Sequence, residues 1–273
     1  MTDQYAVVGN PVAHSKSPLI HAAFARQTGQ PVVYDVLYAN IAGFEAVVQR
    51  FRDGGGRGLN VTVPFKHRAY ALAQRRSARA EQAQAVNTLR FDDAGIFGDN
   101  TDGVGLVRDL TQNLGCTVRD RRVLLMGAGG ASYGVCGPLL DEKPAALVIA
   151  NRTAEKARVL AQHFSRLFPE AFLSAADYGA LGGRAFDIVI NATSAGLSGA
   201  MPALARGLFA ADALAYDMVY GRTTPFLELA RSEGARVSDG VGMLVEQAAE
   251  SFCIWRGVRP QTASVIALLR DEA

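Results

Sequence analysis

The run Gly127-Ala128-Gly129-Gly130-Ala131-Ser132 follows the apolar stretch Val123-Leu124-Leu125-Met126, a spacing with which a backbone can hold an anion. Gly127 permits a tight turn, Gly129 lets peptide N–H groups approach a diphosphate, and a helix opening near Gly130 aims its positive end at the same point. Ser132 stands where the dinucleotide fingerprint has its third glycine, and it is small enough for close helix–strand packing. Such a turn is also an ordinary way out of a strand, so the next strand decides the chemistry. Residues 146–151 (Ala-Leu-Val-Ile-Ala-Asn) form it at βαβ spacing, and it runs into Arg152-Thr153 with no acid before Glu155 in the following helix. An unmodified ribose finds no carboxylate there. A 2′-phosphate finds Arg152, the Thr153 hydroxyl and Lys156, and guanidinium pairs with phosphate through parallel charge-assisted bonds. The competing reading is a solvated Arg152 beside a helix N-cap at Thr153. The pattern predicts a nucleotide fold selective for NADP over NAD.

Three further segments carry polar residues where strands end and loops leave them, which is where α/β proteins place ligands. The first is the loop Gly9-Asn10-Pro11-Val12-Ala13-His14-Ser15-Lys16-Ser17-Pro18. The second is Asn60-Val61-Thr62-Val63-Pro64-Phe65-Lys66, with Asn60 and Thr62 on one face of a strand that Pro64 ends. The third pairs Val86-Asn87-Thr88 with Gly98-Asp99-Asn100-Thr101-Asp102-Gly103. Singly each has a plain explanation: Ser17 caps a helix, Asn-Thr-Asp-Gly makes a turn, Lys66 is solvated.

The elements that position these segments alternate. Strands are predicted over 5–9, 32–38, 58–63 and 86–91, with helices beginning near Ser17-Pro18, Gly43, His67 and Ala78. The alternation restarts with a helix over 103–114, then strands over 122–127, 146–151, 187–193 and 213–220 separated by helices over 130–140 and 153–167. The near-continuous apolar runs are those of parallel strands buried on both faces, so a doubly wound sheet follows. After Asp239-Gly240 the pattern becomes two helices, 241–256 and 262–271.

With 273 residues, 49% of them hydrophobic and 20% charged, the chain can bury sizeable cores and is best read as two domains. A net charge of +2 without a long basic run argues against a nucleic-acid partner. Cys116, Cys136 and Cys253 are scattered and odd in number, which points to reduced thiols in the cytoplasm. No signal peptide or membrane span is expected. His14, His21, His67 and His163 lack metal-ligand spacing, so no metal is expected.

The strings Gly-Asn-Pro-Val-Ala-His-Ser-Lys-Ser-Pro, Asn-Val-Thr-Val-Pro-Phe-Lys, Ala-Val-Asn-Thr-Leu, Gly-Asp-Asn-Thr-Asp-Gly, Gly-Ala-Gly-Gly-Ala, Asn-Arg-Thr, Asn-Ala-Thr-Ser-Ala-Gly and Asp-Gly-Val-Gly-Met-Leu-Val-Glu-Gln-Ala, in this order between residues 9 and 248, resemble those of the shikimate dehydrogenase family. The resemblance implies reversible reduction of 3-dehydroshikimate to shikimate with NADPH, in aromatic amino-acid biosynthesis. It also implies an α/β protein of two domains: a substrate domain (1–103 plus 241–273, the final helices returning to it) and a Rossmann-type NADP-binding domain (104–240).

Residue by residue, Lys66 matches the family's catalytic lysine and Asp102 the aspartate that pairs with it and binds a substrate hydroxyl. Hydride transfer to a ketone builds negative charge on oxygen and needs a positioned acid, and the reverse needs a base. A neighbouring carboxylate favours the ammonium form of a lysine, while desolvation in a closed cleft acts the other way. Ser15 and Ser17 match the residues that hold the substrate carboxylate. Thr62, Asn87 and Gln247 match its other contacts, being groups that donate and accept as a polyol requires. Asn60 is a weaker candidate, and Tyr220 is expected to face the substrate. Gly127, Ala128, Gly129, Gly130 and Ala131 would hold the diphosphate, Asn151, Arg152, Thr153 and Lys156 the adenosine phosphate, with Met218 and Gly240 near the nicotinamide. Tyr133 stands where some members have Arg, and Lys156 where Arg is common. Two alternatives remain at this level: a quinate/shikimate dehydrogenase with relaxed substrate and cofactor choice, and a non-catalytic NADP sensor on the same scaffold. A monomer or a homodimer is expected.

Overall fold

Alternation of inward-facing residues builds the first sheet. In the computed structural model, which describes residues 2–193, 195, 201 and 204–271, strand β1 (Asp3–Gly9) is buried from Tyr5 onward. Ala6 and Val8 face a core with Phe44, Leu59, Val61 and Phe65, while Tyr5 and Val7 face Val12, Tyr34 and Trp255. This is the period of two expected of a strand covered on both sides. The chain continues through α1 (Ser17–Thr28), β2 (Val32–Tyr38), α2 (Phe44–Asp53), β3 (Gly56–Val61), α3 (Lys66–Leu72), β4 (Arg75–Arg76), α4 (Ala78–Ala83), β5 (Thr88–Asp92) and β6 (Gly95–Asp99). The strand order is β2-β1-β3-β5-β6-β4. β1 is parallel to β2 and β3, β5 is antiparallel to β3 and to β6, and β4 runs parallel to β6.

Helix α5 (Asp102–Arg108) leads into the second unit, which continues through β7 (Arg122–Met126), α6 (Gly130–Asp141), β8 (Ala146–Ala150), α7 (Ala154–Leu167), β9 (Leu173–Ala176), β10 (Phe186–Asn191), β11 (Phe209–Asp217), α8 (Pro225–Ser232) and β12 (Arg236–Ser238). The order β12-β11-β10-β7-β8-β9 is parallel throughout. It reverses between β7 and β10, the switch point at which such sheets bind dinucleotides. Val123 and Leu125 face one core layer, Leu124 and Met126 the other.

The last helices, α9 (Val241–Arg256) and α10 (Ala263–Asp271), return to the first unit. Val245, Ala249 and Phe252 pack with Ile20 and Phe24 of α1, and Trp255 Nε1 donates to the Leu89 carbonyl at 2.9 Å. α5 lies against α9 closely enough that a Cβ at Gly105 would stand 2.8 Å from Gln247 Cβ.

Several boundaries differ from the sequence expectation. Gly98 and Asp99, read as part of a polar turn, instead end strand β6 (Gly95–Asp99), and Gly98 leaves no room for a side chain between Ala73 and Val86. The helix expected over 103–114 is α-helical only to Arg108 and continues as a π turn over Asp109–Asn113. The strand expected over 187–193 ends at Asn191, and that over 213–220 at Asp217. Ser194 and Gly196 of the Asn-Ala-Thr-Ser-Ala-Gly string lie outside the described residues. Among the described residues, no helix is long and apolar enough to cross a membrane.

Candidate active site

The loop after β1, the end of β3, the start of β5 and the end of β6 come together at one edge of the first sheet. They wall a cavity of about 570 Å³ whose other side is formed by α9 and the loop after β11. Ser15, Ser17, Thr62, Lys66, Asn87, Asp102, Tyr220 and Gln247 all line it, as do Met218 and Gly240. The structure thus brings every residue expected to touch substrate into one cavity. His14, Arg222, Met243 and Leu244 also line it. Sequence reasoning did not single out Arg222, because one arginine in a turn carries no pattern.

Lys66 opens α3, and its Nζ lies 2.5 Å from Asp102 Oδ2, with the two side chains 18% and 9% exposed. Asp102 is the first residue of α5, where a carboxylate is favoured by the helix's positive end. Its Oδ1 accepts from Asn87 Nδ2 at 2.9 Å. Asn87 is fixed in turn, since its Oδ1 accepts from Thr101 N at 2.8 Å and from Thr88 Oγ1 at 2.9 Å. The string after β6 is therefore a buried polar network and not a solvated turn. Asp99, Asn100, Thr101 and Asp102 are all buried, and Asn100 Oδ1 accepts from Asp102 N at 3.2 Å. Asn60 touches the cavity wall, but its amide is engaged inside the protein. Its Oδ1 accepts from Tyr34 OH at 2.7 Å and its Nδ2 donates to Ser251 Oγ at 3.0 Å. This arrangement suits Asn60 to positioning and not to holding a ligand.

Behind this wall, His21 lies one helical turn beyond Ser17, fully buried and stacked on Tyr34 with ring centroids 4.2 Å apart. Neither ring nitrogen has a partner in hydrogen-bonding geometry. Burial pushes its pKa from 6.5 down to about 3, the nearby Asn60 amide opposing. A histidine held neutral in the fold but free to charge when unfolded contributes stability that is full above about pH 6.5 and lost progressively as pH falls toward 3. Between pH 6.5 and 4.5 the loss due to His21 is expected to reach roughly 2–3 kcal/mol. Urea unfolding at a series of pH values measures it. His21→Phe, which keeps the ring stack, should flatten that part of the profile; an unchanged slope would assign the acid sensitivity elsewhere.

The glycine turn lies at the carboxyl end of β7, outside the cavity lining. Gly127 has φ +106°, a conformation that side chains with a Cβ rarely adopt. A Cβ at Gly129 would meet nothing within 4 Å, and no side chain caps the N-terminus of α6. An open concavity before uncapped N–H groups fits a diphosphate, with Ala128, Gly130 and Ala131 small enough to leave it open. At the end of β8, Asn151 Nδ2 donates to the Thr153 carbonyl at 3.0 Å. Thr153 holds the N-cap position of α7 without its side chain bonding there, so its hydroxyl is available to a ligand. Arg152 and Lys156 are exposed, and neither joins a salt bridge among the described residues. The nearby acid, Glu155, pairs with Arg158 at 2.5 Å. The residues present thus fit a 2′-phosphate. Tyr133 offers no charge and sits in a ring cluster with His67, His163 and Phe164. Gly240 lies against the Met218 backbone so closely that a Cβ would overlap it.

Comparison with known proteins adds independent findings. Residues 7–89 match the family described as shikimate dehydrogenase substrate binding domain, residues 109–198 shikimate/quinate 5-dehydrogenase, and residues 240–270 the shikimate 5′-dehydrogenase C-terminal domain. The chain is 58% identical over 272 residues to a shikimate dehydrogenase (NADP(+)) of Aromatoleum aromaticum, covering 99% of this chain and 98% of the relative. Among solved structures it is similar to an Ael1 enzyme from Pseudomonas putida, with TM-score 0.91, 50% identity and 98% of each chain covered. It is also similar to the shikimate 5-dehydrogenase of Thermus thermophilus in complex with NADP(H) and shikimate, with TM-score 0.89, 30% identity and 100% of each chain covered.

Proposed function

The chain belongs to the shikimate dehydrogenase family, and from that premise we propose that it catalyses the reversible NADPH-dependent reduction of 3-dehydroshikimate to shikimate. The observation that carries this reading is the Lys66–Asp102 pair, 2.5 Å apart, in a cavity lined by every expected substrate contact.

NADPH supplies the hydride when bound. Its diphosphate fits the Gly127–Ala131 turn, and its adenosine phosphate fits Asn151, Arg152, Thr153 and Lys156. Met218 and Gly240 complete the wall on the nicotinamide side. The chain's own residues handle the proton. The Lys66 ammonium donates to the carbonyl oxygen as charge grows there, and in the oxidation the amine takes the hydroxyl proton back. Asp102 holds Nζ and accepts from a substrate hydroxyl, and Asn87 fixes the Asp102 carboxylate through its 2.9 Å bond. Ser15 and Ser17 hold the substrate carboxylate, while Thr62, Tyr220 and Gln247 bind the rest of the ring. Residues 1–103 with 241–273 form the catalytic domain and 104–240 the cofactor domain. We place the enzyme in the cytoplasm, as a monomer or homodimer.

The test is the initial rate of reduced-cofactor formation from shikimate with NADP+, run beside NAD+ and beside quinate. Turnover confined to shikimate with NADP+ supports the reading, comparable rates with NAD+ or quinate replace it with the relaxed-specificity alternative, and no turnover with any pair defeats it. Arg152→Ala should raise the Kd for NADP+ by about 10- to 100-fold, the worth of a charge-assisted bond to an anion, and leave NAD+ little affected. Equal losses for both cofactors would move the 2′-phosphate contact away from Arg152.

A further inference from the structure

His67 opens α3 beside Lys66, on the first sheet's side of the cleft, yet its ring reaches the glycine turn of the second sheet. Nδ1 lies 2.9 Å from the Gln84 carbonyl oxygen. A carbonyl only accepts, so Nδ1 carries a hydrogen and Nε2 is the nitrogen left for a second partner. Nε2 faces Gly130, and a Cβ built there would stand 3.6 Å from it, nearer than any other neighbour. The ring meets Tyr133 edge-on at 6.3 Å. No lysine, arginine or histidine occurs in α6 itself, so the turn receives no positive side chain from its own helix.

We propose that His67, whose Nδ1 is held by the Gln84 carbonyl, donates from Nε2 to the diphosphate of the dinucleotide held at Gly127–Ala131, making the catalytic domain a direct contributor to cofactor affinity. The inference rests on the NADP reading and adds a contact from across the cleft. The titratable groups around the ring do not substitute for it. Lys66 is spent on Asp102, Tyr133 is a phenol whose pKa burial raises, and His163, beyond Tyr133, lies 2.7 Å from the Gln82 carbonyl through Nε2. The anchored Nδ1 also fixes the ring plane, so the donor at Nε2 is already oriented when the anion arrives. Little side-chain entropy is then lost on binding.

The experiment is calorimetric titration with NADP+ and separately with 2′-AMP, which keeps a 2′-phosphate but lacks the diphosphate. The wild type, His67→Ala and His67→Phe are compared, the last retaining a ring against Tyr133 without the N–H. The expected result is about a tenfold weaker affinity for NADP+ in both variants, the worth of one hydrogen bond to a charged group, with 2′-AMP bound alike by all. NADP+ affinity that survives both substitutions would overturn the proposal, as would parallel losses for NADP+ and 2′-AMP. Failure of the wild type to bind NADP+ would instead overturn the cofactor reading itself.

Discussion

Lys66→Ala will lower kcat by about three orders of magnitude, the middle of the range for a positioned general acid or base, and will leave NADP+ affinity essentially unchanged. The two quantities separate because Lys66 lines the substrate cavity whereas the glycine turn and Arg152 lie outside it. The loss should not come from unfolding. Asp102 keeps its 2.9 Å bond from Asn87 and its place at the N-terminus of α5, so the carboxylate left behind still has partners. Lys66→Arg sharpens the test. A guanidinium preserves the charge pair but does not give up its proton at any accessible pH, so turnover should be lost with the pair intact. Stopped-flow measurement of the first turnover, set beside a binding titration, reads both effects. Retained turnover in Lys66→Arg would show that the lysine serves as a fixed charge and that the proton travels by another route.

Most of the framework was legible because its signals are local. The buried strands β1, β7, β8 and β10 are short apolar runs bounded by turn residues. The glycine turn is a string whose geometry requires those residue types. Thr224 and Pro225, a capping side chain and a helix-starting proline, also stood in the sequence as a signal for α8, and Thr224 Oγ1 does accept from Leu227 N. β9 and β12 were not legible for a different reason: they are four- and three-residue strands at the two edges of the second sheet, too short to show a period. β6 was missed because Gly98 and Asp99 read as turn formers. In the fold, Gly98 is required by the side chains of Ala73 and Val86, and Asp99 is engaged by Arg79 Nε at 2.7 Å and by Ser77 Oγ. The same limit applies at the site. Ser15, Thr62 and Asn87 were identifiable as polar residues at strand ends, but the engagement of Asn60 with Tyr34 and Ser251 depends on residues far apart in the chain. His67 falls between these cases, since its contact with Gly130 crosses from one sheet's unit to the other and no local pattern records it.

The junction between those units yields the largest structural effect. Gly242, in the first turn of α9, lies against the carboxylate of Asp109, and a Cβ there would overlap all three of its terminal atoms. Asp109 is fully buried, with burial raising its pKa. It accepts from Tyr216 OH at 2.6 Å and from Asn113 Nδ2 at 3.0 Å. The carboxylate therefore cannot swing to solvent, and moving it within the core breaks the bond that joins the π turn after α5 to β11. Gly242→Ala is expected to cost about 3 kcal/mol or more, combining overpacking with a disrupted buried acceptor, read as a lower urea midpoint. Asp109→Ala in the same chain should recover part of that loss, because the two substitutions share one contact. A midpoint for Gly242→Ala equal to that of the wild type would mean that α9 shifts to make room. That shift would itself be visible in catalysis: Asp102 of α5 and Gln247 of α9 both line the cavity and both accept from Asn87 Nδ2, with Gly105 and Gln247 in close approach. Spreading the two helices moves Asp102 and Gln247 apart, so a folded Gly242→Ala enzyme should show a raised KM for shikimate.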